Sequence, residues 1–156
     1  MKYKIQNTGF TLVELIVTIS IIALLAGAGT AAYWRFNQGQ KLAVAVDELK
    51  NNLRLIQGKA LAQEKPAAGC VVLDGYQVNI GVDTRDYSYA AVCNGDGTLV
   101  SSRSFSPLPD GVIFASAVPS QIIFRIFGNG ATSSVITVSG FGGSRIVNVS
   151  ATGDIY

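Results

Sequence analysis

From Phe10 to Trp34 the chain is apolar or small at almost every position, and Glu14 is the one charge in that run. A stretch that is apolar all round predicts a helix that meets hydrocarbon on every face. At about 1.5 Å per residue it rises roughly 37 Å, enough to cross a hydrocarbon core of about 30 Å. Beyond it the pattern narrows to a stripe. Leu42, Val46, Leu49, Leu53, Ile56 and Ala60 recur alternately at four and three, which is the spacing of one helix face. Lys41, Glu48, Lys50, Asn52, Arg54 and Lys59 mostly take the other faces. The stripe is too short and too weakly charge-patterned for a sustained coiled coil, so it predicts packing on the chain's own sheet. Pro66 and Gly69 are the expected end of the helix.

After Pro66 the period changes to short β-like runs between turn residues. Cys70-Val71-Val72-Leu73 leads into Asp74-Gly75, a hairpin signal, and then Tyr76, Val78 and Ile80 alternate with Gln77 and Asn79. Tyr87 to Cys93 is a further candidate strand, followed by Asn94-Gly95-Asp96-Gly97. Others are Gly111 to Ala115, Gln121 to Phe127, Ser134 to Ser139 and Arg145 to Ser150, punctuated by Gly128-Asn129-Gly130 and by Gly140 to Gly143. One long helix followed by about seven strands predicts an α+β architecture, with the helix packed on an antiparallel sheet. The expected boundaries are 10–34 for a membrane-crossing segment, 35–65 for its amphipathic continuation and 66–156 for a β-rich globular domain.

Composition narrows the chemistry. Apolar residues make up 49% of the chain and charged residues only 14%, a skew that a membrane segment would explain. The formal charge of +2 is small for a nucleic-acid surface. Histidine is absent, which removes Ser-His-Asp, Cys-His and histidine-based metal chemistry. Cys70 and Cys93 are the two cysteines; they form one disulfide in an exported domain or remain buried thiols otherwise.

The first nine residues, Met1 to Gly9, are short, polar and basic, with Lys2 and Lys4 placed to hold that end in the cytoplasm. The remainder of the chain then lies outside. An ordinary secretory signal would be cut after the apolar run, near Ala26-Gly27-Ala28, and would release a soluble protein. Glu14 favours a cut before the run instead. A carboxylate at the edge of a membrane helix costs up to about 2.5–3.5 kcal/mol when unpaired, so such a residue usually has a partner and a role.

Gly9-Phe10-Thr11-Leu12-Val13-Glu14-Leu15 resembles the leader and cleavage motif of type IV prepilins and secretion-system pseudopilins. The resemblance implies removal of a leader (1–9) by the prepilin peptidase between Gly9 and Phe10, followed by N-methylation of Phe10. Without Lys2 and Lys4 the mature chain is close to neutral. The resemblance also implies an assembly role for Glu14. The new α-amine is largely cationic at neutral pH, and Glu14 can meet the amine of a neighbouring subunit in a staggered stack. Many pilins carry a proline about two dozen residues into the mature helix; this chain has Ala31 there. Ala26-Gly27-Ala28-Gly29-Thr30 either loosens the helix or lets helices approach closely.

Further along, the segment Leu53 to Cys70, Leu108-Pro109-Asp110-Gly111-Val112, Ile122-Ile123-Phe124 and Arg145 to Ser150 with Gly153 is similar to H-type pseudopilins and FimT-type minor pilins. That similarity implies a non-enzymatic minor pilin or pseudopilin of a type IV pilus or type II secretion filament. Such a subunit is held in the inner membrane and works with other pilin or pseudopilin subunits. A major pilin and a DNA-capturing competence pilin are the alternatives. Some relatives end in a basic tail linked to DNA uptake, whereas this chain ends Thr152-Gly153-Asp154-Ile155-Tyr156, so DNA is not expected as a partner.

No cofactor or metal is expected. Asp83, Asp86 and Asp96 lie near glycines and suit turns better than a calcium loop. Gly140-Phe141-Gly142-Gly143 lacks the lysine and helix of a phosphate loop. Arg85, Arg103, Arg125 and Arg145 are dispersed and read as solvent-facing strand residues. Trp34, beside Tyr33 and Arg35, is expected as an interfacial anchor.

Overall fold

Helix α1 spans Leu12–Leu61. The computed structural model describes residues 9–156, so the predicted leader, apart from Gly9, lies outside the described residues. The chain divides into two compact units, Met1–Asn37 and Gln38–Tyr156. Within the described part of the first unit, α1 is apolar and almost wholly exposed, with Leu12, Ile16, Ile19, Ile22 and Leu25 each more than half accessible. The helix runs unbroken through Gly27 and Gly29.

In the second unit the stripe does what its spacing predicts. Leu42, Val46, Leu49, Leu53, Ile56 and Ala60 are all buried, joined by Ala45. Burying one such leucine or isoleucine side chain contributes about 1.5–3 kcal/mol. The helix closes at Leu61, ahead of Pro66. Gln63 takes a left-handed conformation at φ 54°, and the Glu64 N–H donates to the Lys59 carbonyl at 3.0 Å, a turn that satisfies a last-turn carbonyl.

Seven strands follow: β1 (Leu73–Ile80), β2 (Tyr87–Cys93), β3 (Thr98–Ser104), β4 (Val112–Val118), β5 (Gln121–Arg125), β6 (Ser134–Gly140) and β7 (Gly143–Val149). The architecture is α+β, as expected, but the strands form two antiparallel sheets rather than one. Four strands are ordered β3-β2-β1-β5 and three are ordered β4-β6-β7. Both sheets turn apolar faces to one core shared with the helix stripe, including Val78, Ile122 and Phe124 from the first and Phe114, Ile136 and Val147 from the second.

Two strand assignments need correction. Asp74-Gly75 is no hairpin turn, because both residues lie inside β1, and residues 70–72 carry no strand. A Cβ at Gly75 would sit 2.3 Å from the Phe124 carbonyl oxygen. Glycine is there to let β1 and β5 approach. The other correction is β3, an exposed and largely polar strand that the hydrophobic pattern does not announce. The Gly140 to Gly143 tip is a two-residue hairpin: Gly140 pairs with Gly143, and Phe141 and Gly142 have φ of 55° and 78°. Positive φ at both central residues matches the right-handed twist of the flanking strands.

Candidate assembly site on the N-terminal helix

The apolar half of α1 satisfies its own hydroxyl groups. Thr11 stands just before the first helical residue, and its Oγ1 accepts the Glu14 N–H at 3.3 Å. Thr18 Oγ1 donates to the Leu15 carbonyl at 2.9 Å, Ser20 Oγ to the Ile16 carbonyl at 2.8 Å, and Thr30 Oγ1 to the Gly27 carbonyl at 3.0 Å. A polar group in hydrocarbon costs several kcal/mol when it has no internal partner. The hydroxyls of Thr18, Ser20 and Thr30 therefore pass into an apolar medium at little cost.

Glu14 is different. It lies in the first turn of α1 and forms no ion pair among the described residues. The positive end of the helix dipole favours a carboxylate there, yet contributes only a fraction of what a full counter-charge would. Gly9 and Phe10 precede the helix, and Phe10 is 79% exposed. The Thr11 cap escaped the sequence reading, although Thr11-Leu12-Val13-Glu14 has the spacing of a capping box; the threonine half of that box is formed. By length and composition α1 is able to cross a membrane, with a mean hydropathy of 2.3 over its most apolar stretch. Tyr33, Trp34 and Phe36 are exposed at the far end of that stretch.

The other predicted residues lie in the second unit. Cys70 and Cys93 are bonded, their Cα atoms 5.4 Å apart, which fastens the irregular segment after the helix to the end of β2. Asn94 seals the same junction: its Oδ1 accepts the Val71 N–H at 2.8 Å, and its N–H donates to the Val72 carbonyl at 2.8 Å. Asp96 accepts from the Thr98 hydroxyl at 2.6 Å and the Thr98 N–H at 3.0 Å, bonds that hold its carboxyl below the usual range. No cluster of His, Cys, Asp or Glu able to hold a metal occurs among the described residues. Arg85 is paired with Asp110. Arg103 and Arg125 lie on opposite edge strands of the four-stranded sheet, and Arg145 is on the other sheet, so the four arginines make no common face.

Residues 6–30 match the family model of the prokaryotic N-terminal methylation motif. In structure the chain is similar to the minor pseudopilin EpsH from the type 2 secretion system of Vibrio cholerae. The TM-score is 0.52, over 74% of this chain and 94% of that one, at 13% sequence identity. No curated protein sequence matches. The methylation motif, which is the type IV prepilin signal, and the pilin-like fold together support a type IV pilin or pseudopilin family. The motif with its apolar helix suits membrane anchoring.

Proposed function

We propose that this chain is a non-enzymatic minor pilin or pseudopilin, stored in the inner membrane through residues 10–34 and drawn from there into a type IV pilus or type II secretion filament. The prepilin peptidase cuts between Gly9 and Phe10, and Phe10 is then N-methylated. The β-rich domain lies outside the cytoplasmic membrane. The observation that carries this reading is the helix start. Three hydroxyl residues of an exposed apolar helix, Thr18, Ser20 and Thr30, are satisfied within it, while Glu14 in the first turn forms no ion pair among the described residues. A carboxylate set so in hydrocarbon calls for a cation brought by another chain, and the amine of a neighbouring subunit's Phe10 is such a cation. Two charges that neutralise each other only between subunits supply both attraction and register.

The test is mass spectrometry of the mature protein, co-expressed with a prepilin peptidase and partner subunits. The expected N-terminus is monomethylated Phe10, and Gly9→Glu should retain the leader by denying the peptidase a small residue. A mature N-terminus downstream of Leu25 would overturn the proposal. Abundance in sheared filaments separates the minor subunit proposed here from a major, fibre-forming one.

A further inference from the structure

Three of the four sheet edges are covered by the chain itself. On β5, the Arg125 N–H donates to the Gly130 carbonyl and the Ile123 carbonyl accepts the Thr132 N–H, at 3.0 and 2.9 Å. On β4, Phe114 exchanges main-chain bonds with Asp83 and Thr84, and on β7, Asn148 exchanges them with Tyr156. Beyond its bonds to β2, β3 alone has no main-chain partner among the described residues. An open edge left exposed is a template for another extended chain unless a bulge or charge blunts it. A bulge is present here. Tyr89 pairs with Arg103 and Ala91 with Val100, so Ser101 and Ser102 together oppose Ala90, and Ser101 takes φ 55°.

Next to that bulge lies a cleft of about 420 Å³ lined by Ser101 and Arg103 of β3 together with Lys59, Glu64, Lys65 and Tyr89. Its charges do not balance. Lys59 is neutralised by Glu64 at 2.5 Å. Among the described residues, Lys65 Nζ has the neutral Val71 carbonyl at 2.7 Å and no carboxylate, and Arg103 forms no ion pair. Two cations are left over in a concave site whose lining includes Tyr76 and Tyr89. A guanidinium suits bidentate capture of a carboxylate, and the adjoining edge offers main-chain hydrogen bonds to an extended chain.

We propose that this cleft and the β3 edge bind a short, extended acidic segment of a partner protein, its carboxylate held by Arg103 and Lys65. The bulge limits pairing to a few residues, so the carboxylate contacts set specificity. A nucleic-acid strand fits less well. Duplex and single-strand binding draw on many phosphate contacts, and this cleft offers two free cations beside a carboxylate.

The test uses the full chain in detergent micelles, which needs no filament, so its result is separable from the fate of the assembly proposal. The probe is a capped hexapeptide alternating valine and glutamate, titrated calorimetrically. Its glutamine counterpart and a thymidine oligonucleotide are the comparison ligands. Saturable binding of the acidic peptide is expected, weakened about tenfold or more by Arg103→Gln and by the glutamine exchange, and unchanged by Arg145→Gln. Arg103 is exposed, so the variant should keep its unfolding midpoint, which is measured alongside. Absence of saturable binding, or equal binding by Arg103→Gln, overturns the proposal. Tighter binding of the oligonucleotide at the same residues overturns the choice of a carboxylate.

Discussion

The side-chain amide of Asn52 on α1 donates to the Tyr87 hydroxyl on β2 across 2.6 Å. Tyr87 is buried, stacked on Phe105 with ring centroids 4.7 Å apart and met edge-on by Phe114 at 5.4 Å. The bond ties the polar flank of the helix stripe to the four-stranded sheet. Burial pushes the Tyr87 pKa up from its ordinary value, more than the Asn52 hydrogen bond lowers it, and the Glu48 charge adds to the rise. Burial raises Tyr76 in the same way.

A phenol whose folded pKa is raised contributes stability that is complete below its unfolded pKa, near 10, and is lost as pH rises through the folded value. Denaturant unfolding of the full chain in micelles should therefore show a midpoint that declines above about pH 10. Tyr87→Phe keeps the ring contacts, removes the titrating group and leaves the Asn52 amide without its partner. It should cost about 1–2 kcal/mol at neutral pH and make the alkaline decline shallower. An unchanged alkaline slope in that variant would assign the loss to other groups.

How far the sequence announced this structure can be judged at particular residues. Helix spacing placed Leu42, Val46, Leu49, Leu53, Ile56 and Ala60 on the buried face because a half-exposed helix repeats its burial every turn. At the Gly140 to Gly143 tip the glycines mark a turn, Gly142 taking its positive φ without strain, while Phe141 at φ 55° is a residue that such a position disfavours. Gly75 misled because a glycine that permits close strand approach looks the same in sequence as one that permits a turn. Strand β3 was invisible because an edge exposed on both faces carries no alternation. The Gly9-Phe10-Glu14 segment stood out for its unusual chemistry, but the cleft of Lys59, Lys65 and Arg103 did not. Its members come from a helix, a loop and an edge strand, and only the fold brings them together.

The Cys70–Cys93 bond closes a loop with a sequence separation of 23. In the chain-entropy account a crosslink of that span stabilises by restricting the unfolded chain, by about 3 kcal/mol. The bond also anchors the exit from the helix, where Val71 and Val72 are exposed and contribute little packing of their own. Replacing both cysteines by serine should lower unfolding stability by about 3 kcal/mol. Alkylation of the exported protein without reductant should find no free thiol. Two alkylated thiols in protein recovered from the envelope would show that the bond does not form in the cell.

The proposal for Glu14 predicts a separation between assembly and folding. The domain core is built from residues 42 to 155, and Glu14 is no part of it, so Glu14→Val should leave the unfolding midpoint unchanged. Insertion into the membrane should be at least as ready, since a charge that is costly in hydrocarbon has been removed. Assembly is where the loss should appear. In the valine variant a neighbour's Phe10 amine meets no carboxylate in the low-dielectric filament core, and breaking one half of a buried pair typically costs about 3–5 kcal/mol. The variant should accumulate in the inner membrane and be depleted from sheared filaments when co-expressed with its native partner subunits. Glu14→Asp keeps the charge on a shorter arm and should restore part of the incorporation, which a purely steric role for residue 14 would not predict. Incorporation of Glu14→Val at the wild-type level would show that the carboxylate does not set the register.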